Sequence, residues 1–235
     1  MDPQQRQTAK TFDAYKDTYS GTVDAAVSFT GLSVDFYTKV KAGYIVELAR
    51  EHFGQERALN VLDVGCGIGN YHALLSPHFG RLAGVDISSD CIAVARQRNT
   101  GVAYAVYDGE RLPYADGVFD VVYTVCVMHH VSPALWQNFV GEMRRVLRPG
   151  GLALVFEHNP RNPLTMRVVS NCPFDDDAVL LQREKTTALL SQAGFSGIQS
   201  RFILSIPAAN AFLRRIDKLL GHMPFGAQYY VAATA

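Results

Sequence analysis

The stretch VLDVGCGIGNY (61–71) decides the fold. An apolar run that reads as a buried strand over 58–65 stops at Gly65, and Gly67 and Gly69 follow at alternate positions before a helical segment to about Phe79. Glycines at such a turn permit positive φ and let the backbone approach a ligand closely. The helix start beyond them offers free N–H groups to an anionic or carboxylate end. A plain tight strand-to-helix turn is the alternative, but three alternating glycines directly after a strand argue against it.

Working outward, the same rhythm recurs. RLAGVDI (81–87), VAYAVY (102–107), FDVVYTVCV (119–127) and GLALVFE (151–157) read as strands. A helix capped by Ser88 and another over 133–147, striped by Leu135, Phe139, Met143 and Val146, lie between them. Short apolar runs alternating with amphipathic helices predict an α/β, Rossmann-like, doubly wound and mostly parallel sheet. GIQSRFIL (197–204) and AQYYVAA (227–233) supply two more strands, the last antiparallel, which brings the sheet to seven. A helix over 208–220 is expected between them. Ser33 caps and Gly54 ends a further helix near the N-terminus. Residues 158–177, with Pro160, Pro163, Pro173 and three aspartates, are expected to form a long irregular connection. The 235 residues suit one domain. It divides into an N-terminal helical lid (1–54), a cofactor-binding core (55–157), and substrate-side segments with the final strands (158–235).

Composition removes several classes. Apolar residues make up 48% and charged residues 19%, as in an ordinary globular chain. Lys plus Arg is 22 and Asp plus Glu is 22, so no basic excess advertises nucleic-acid binding. Cys66, Cys91, Cys126 and Cys172 form no CxxC pair and suit reduced thiols, so a cytoplasmic location is expected. No apolar run is long enough to span a bilayer.

Asp86 ends the second strand, where an acidic side chain can accept hydrogen bonds from both hydroxyls of a ribose. A dinucleotide fingerprint would want glycine at position 70, which is Asn70. Instead, DVGCGIG with VD at the next strand end resembles the class I S-adenosylmethionine-dependent methyltransferases, in the style of the ubiquinone and menaquinone biosynthesis enzymes and their small-molecule relatives. YDGERLPYADGVFDVVYTVCVMHHV (107–131) and LRPGG (147–151) extend the resemblance.

The resemblance implies an enzyme that moves a methyl group from S-adenosyl-L-methionine to a small-molecule acceptor, at a hydroxyl oxygen, releasing S-adenosyl-L-homocysteine. It implies that Asp63, Gly65, Gly67 and Gly69 flank the methionine part and that Asp86 holds the ribose. It also implies that Ile87 packs on the adenine, that Asp108 with the Gly109 backbone meets the adenine amino group, and that the Cys126 backbone approaches the methionine moiety. A turn aspartate is the competing reading of Asp108. Nitrogen or carbon acceptors, and lipid or glycan acceptors, stay open, as does the oligomeric state. An NAD-type oxidoreductase and a non-catalytic S-adenosylmethionine-binding module are the rivals from other classes. Asn70, where a dinucleotide fingerprint wants glycine, speaks against the first.

His130 and His158 end neighbouring strands and are the candidate bases. A helix-capping role competes for His130. The aspartates 175–177 read as a helix N-terminal charge cluster, and no metal is expected. Tyr15, Tyr19, Phe36 and Tyr37 are candidates for a lid or for ordinary core packing. The 208–220 helix, with Arg214, Arg215 and Lys218 beside an apolar face, reads as core or, more sharply, as a peripheral membrane contact.

Overall fold

The computed structural model describes residues 2–15, 18–54, 58–206 and 211–235. Its centre is a seven-stranded sheet in the order β3-β2-β1-β4-β5-β7-β6. The strands are β1 (Asn60–Val64), β2 (Arg81–Asp86), β3 (Ala103–Val106), β4 (Phe119–Val125), β5 (Leu147–His158), β6 (Ser196–Ile203) and β7 (Gln228–Thr234). Six of them share one direction. β7 is reversed and pairs antiparallel with both β5 and β6, as expected for the last strand.

Alternation along the strands builds both faces of the core. Leu62, Val122, Ala153 and Val155 pack on one side with Phe139, Val140 and Met143 of α6 (Trp136–Val146). Val61, Val121, Tyr123 and Leu154 face the other, against Ile45 and Ala49 of α3 (Val34–Phe53). A period of two with both faces apolar is what a covered parallel sheet requires.

Helices α1 (Pro3–Tyr15) and α2 (Tyr19–Val27) precede α3, and α4 (His72–Leu75) and α5 (Ser89–Arg98) follow β1 and β2. Ser88 caps α5 through the Cys91 N–H, as its sequence position indicates. Ser33 occupies the expected cap position of α3 without a side-chain bond, and the Asp24 carboxylate accepts the Val34 N–H instead. The helix anticipated after the glycines shrinks to the four residues of α4, because turns carry the chain from Gly65 to Tyr71.

Residues 158–177 are more ordered than their prolines suggest. Asn162 Oδ1 accepts the N–H groups of Leu164 and Thr165, Pro163 takes the first helical position, and α7 (Pro163–Ser170) results. α8 (Arg183–Gln192) begins well beyond Asp175–Asp177, so these aspartates do not form a helix N-terminus. α9 (Ala211–Leu220) is the expected helix between β6 and β7. The start anticipated for it at 208–210 lies outside the described residues.

Candidate active site

β1 and β4 are sequence-distant neighbours at the middle of the sheet, with β2 and β3 to one side of them and β5 to the other. Ligands in such sheets occupy the crevice beyond the carboxyl strand ends at this switch point. A cavity of about 570 Å³ lies there, lined from the ends of β1, β2, β4 and β5 and closed over by α1, α2, α3 and α7. The volume is within the range of small-molecule sites.

One end of the cavity is built by backbone. Gly65 and Gly67 have φ of 79° and 50°. A Cβ on Gly65 would lie 2.5 Å from a Val127 methyl, so only glycine lets the loop pass beneath the turn after β4. The Asp86 carboxylate holds the loop, accepting the Gly67 N–H at 2.7 Å and the Ser88 N–H at 2.9 Å. Burial lifts its carboxyl to about 6, and these two bonds offset part of that rise. Beneath the loop, Asp63 Oδ2 accepts the Tyr123 hydroxyl at 2.9 Å and His72 Nε2–H at 3.1 Å. The other ring nitrogen of His72, Nδ1, meets the Tyr104 hydroxyl.

The other end is built by side chains. His129 donates from Nδ1 to Glu157 Oε2 at 2.6 Å, and its Nε2 lies 3.6 Å from Asp175 Oδ1. Burial pulls the His129 pKa down, but two carboxylates outweigh it and hold the ring protonated. His130 Nε2 lies 3.3 Å from the same Asp175 oxygen, and a proton held between them would leave Nδ1 with the lone pair. Burial and the neighbouring His129 charge lower the His130 pKa, so this ring is neutral near pH 7. The same two causes push His158 down to about 4. Glu157 Oε1 also accepts the N–H groups of Val127 and Met128, fixing the turn that carries both histidines. Lys41, Cys126, Thr165 and Gln228 add to the polar lining.

Three buried oxygens of lining residues, Gln5 Oε1, Ser205 Oγ and Gln228 Oε1, have no hydrogen-bond partner. Buried polar groups are normally paired, so these atoms fit a cavity that receives a polar ligand.

Comparison with known proteins identifies the family. Residues 62–155 match the profile of a family described as a methyltransferase domain. An uncharacterised methyltransferase of Synechocystis is 30% identical over 157 residues, 65% of this chain and 74% of that protein. A demethylmenaquinone methyltransferase of Chlorobaculum parvum is 30% identical over 154 residues, 65% of this chain and 62% of that protein. The chain belongs to the S-adenosylmethionine-dependent methyltransferases. A solved Thermotoga maritima structure, described as a possible histamine N-methyltransferase, covers 97% of the chain with a TM-score of 0.68. At 18% identity and 99% coverage of that protein it attests the fold alone.

In this methyltransferase Asp63, Gly65, Gly67, Asp86, Ile87, Cys126, His130 and His158 all line the cavity. Gly69, Asp108 and Gly109 do not. At Gly69 a Cβ would lie 2.7 Å from the Asn99 amide and the Tyr104 hydroxyl, so this glycine serves packing of the loop on β3. Asp108 is exposed and accepts the N–H groups of Glu110 and Arg111, both at 2.9 Å, the turn role weighed against the adenine contact. Gly109 is covered by the Gln5 amide of α1. Burial pushes the Cys126 thiol up, which suits packing rather than nucleophilic attack.

The aromatic candidates divide. Phe36 and Tyr37 line the cavity, Tyr15 packs edge-on to Phe174, and the Tyr19 side chain lies outside the described residues. Asp175 is the correction with most chemical weight. It leaves the exposed pair Asp176 and Asp177 and is buried against both histidines. His129 and Glu157 also gain definite partners that spacing alone did not reveal.

Proposed function

We propose that this enzyme methylates a hydroxyl oxygen of a small molecule and that His130 takes the hydroxyl proton. The observation that carries the proposal is the placing of His130, which lines the cavity with its Nε2 3.3 Å from an Asp175 oxygen. S-adenosylmethionine, when bound, supplies the activated methyl group. Gly65, Gly67, Asp86 and Ile87 are the residues proposed to hold it, with Asp63 fixing the loop from below and the Cys126 backbone adjoining the methionine part.

In this proposal Nδ1 of His130 receives the acceptor's proton as the C–O bond forms. Asp175 then faces an imidazolium instead of a neutral ring, an interaction that strengthens as charge develops. His129 and Glu157 form a fixed charge pair behind it, and His158 is the second candidate base. The lid helices α1 and α2 exclude water and order the acceptor through apolar contact.

Incubation with methyl-labelled S-adenosylmethionine and a panel of phenolic, glycan and lipid alcohols, read by mass, tests the proposal. A methyl ether product supports it. A product methylated only at nitrogen or carbon overturns it.

A further inference from the structure

The cavity opens between apolar side chains. Phe29, Leu164 and Phe225 all line it, yet they are 37%, 59% and 64% exposed. They are joined by specific contacts. The Arg167 guanidinium lies 4.6 Å over the Phe29 ring, and Asn162 Nδ2 donates to the Phe225 carbonyl at 2.7 Å. α9 leads into this rim. Its Phe212 and Leu219 stand two turns apart, 70% and 79% exposed, with exposed Arg215 between them. Met223, 49% exposed, continues the apolar surface towards Phe225.

Charge is segregated on the same elements. Residues 159–171 and 211–226 contain Arg161, Arg167, Arg214, Arg215 and Lys218 but a single acid, Asp217. Asp217 is buried and accepts the N–H groups of Leu204, Ser205 and Ile206. Arg161 and Lys218 pair with Glu184 and Glu47 of neighbouring elements, while Arg167 and Arg215 are exposed. A chain whose formal charge is zero thus carries cations and exposed apolar side chains together on α7, α9 and the loop that reaches Phe225 at the opening. That combination is the signature of an interfacial surface. Among the described residues no helix is long and apolar enough to cross a membrane, so attachment would be peripheral.

We infer that α7, the 223–226 loop and α9 dock on an anionic lipid surface, and that the acceptor is an amphiphile entering from it. Its apolar chain would run between Phe29, Leu164 and Phe225, with the hydroxyl towards His130. The docking stands on its own, whereas the acceptor class rests on the methyl-transfer reading above.

The test uses the full chain with vesicles of phosphatidylcholine alone or mixed with phosphatidylglycerol. Sedimentation with the mixed vesicles is expected. It should fall about tenfold in Arg215→Glu and at least as far in the double variant Phe212→Glu/Leu219→Glu. Both variants alter exposed side chains, and unchanged S-adenosylhomocysteine binding by calorimetry would show that they are folded. Absence of sedimentation with mixed vesicles, or sedimentation undiminished in folded variants, overturns the docking. A dimer that the double variant converts to monomer also overturns it, because the face then belongs to a second copy.

Methyl label supplied to vesicles containing long-chain alcohols tests the acceptor. Label in the lipid phase, lost in the double variant, supports it. Docking with label confined to water-soluble acceptors overturns the acceptor class alone. S-adenosylhomocysteine binding with label in no acceptor would instead count against the methyl-transfer reading.

Discussion

The two ends of the cavity are built on different principles. At the cofactor end, a single strand-turn segment supplies loop backbone and glycines, pinned by Asp86 from the next strand and Asp63 from below. At the acceptor end, side chains come from β5, the turn after β4, and a 3₁₀ turn after α7, and they meet through Glu157, His129, Asp175 and His130. The first end is a local property of the chain. The second exists only after residues about forty-five positions apart in sequence have been brought together, and its charges set one another's protonation. Mutations should therefore separate the two ends.

The widest separation is expected at His130. Loss of a general base costs about 10²–10⁴-fold in rate. His130→Ala should lower kcat by that amount and leave S-adenosylhomocysteine affinity unchanged, with His158→Ala the smaller effect. His130 is faced by Asp175, His129, His158 and Glu157, and its pKa is lowered below the ordinary 6.5. The acidic limb of the kcat profile should accordingly lie below that value. A limb above it, or near-normal kcat in both variants, would leave the acceptor end without its base.

Asp175→Asn is expected next. The amide keeps the shape but can present N–H to His130 Nε2, which disfavours the tautomer with a free Nδ1 lone pair. A loss of about 10–10² in kcat at constant cofactor affinity fits an orienting group. An equal loss in kcat and thermal stability, with rate restored by stabilising conditions, would reduce Asp175 to a structural brace.

The cofactor end should respond in affinity rather than rate. Two charge-assisted hydrogen bonds to a ribose are worth about 1.5–3 kcal/mol. Asp86→Ala should therefore weaken S-adenosylhomocysteine binding roughly ten- to a hundred-fold. In the parent protein the carboxyl titrates near 6, and hydrogen-bond donation by the ribose favours the ionised form. Affinity should fall as pH drops through 6 and level off above it. Calorimetry across that range checks both statements, and a flat profile would remove Asp86 from the ribose.

The same contrast explains what the sequence disclosed. The sheet, its reversed last strand and the glycine turn were legible because they are written in local periodicity and in residues confined to special φ. The conformation of 158–177 was hidden because Pro163, which reads as a breaker, also starts a helix once Asn162 caps it. Asp175 was misread as part of a run of three aspartates, whereas the fold buries it and leaves its two neighbours exposed. The resemblance grouped Gly69 and Gly109 with the contact residues, and no sequence pattern shows what approaches a glycine. Here a tyrosine and a glutamine do.

The smallest expected effect is the one that most sharply defines the acceptor end. One donor atom each from His129, His130 and Asp175 lies within 4.8 Å of the others, close enough to share a divalent cation. The same positions are also satisfied by a proton. With Nδ1 of His129 on Glu157 and Nε2 towards Asp175, a protonated ring supplies one positive charge between two carboxylates. A metal would need the Nε2 lone pair of His130, which forces the proton onto Nδ1 and removes the base. The cation and the His130 base therefore exclude each other. Dialysis against a chelator should leave kcat unchanged, and added zinc should inhibit by capturing both imidazoles. Stoichiometric metal in the purified enzyme, with activity lost on chelation and restored by a divalent ion, would reassign the histidines as ligands and leave the proton to another group.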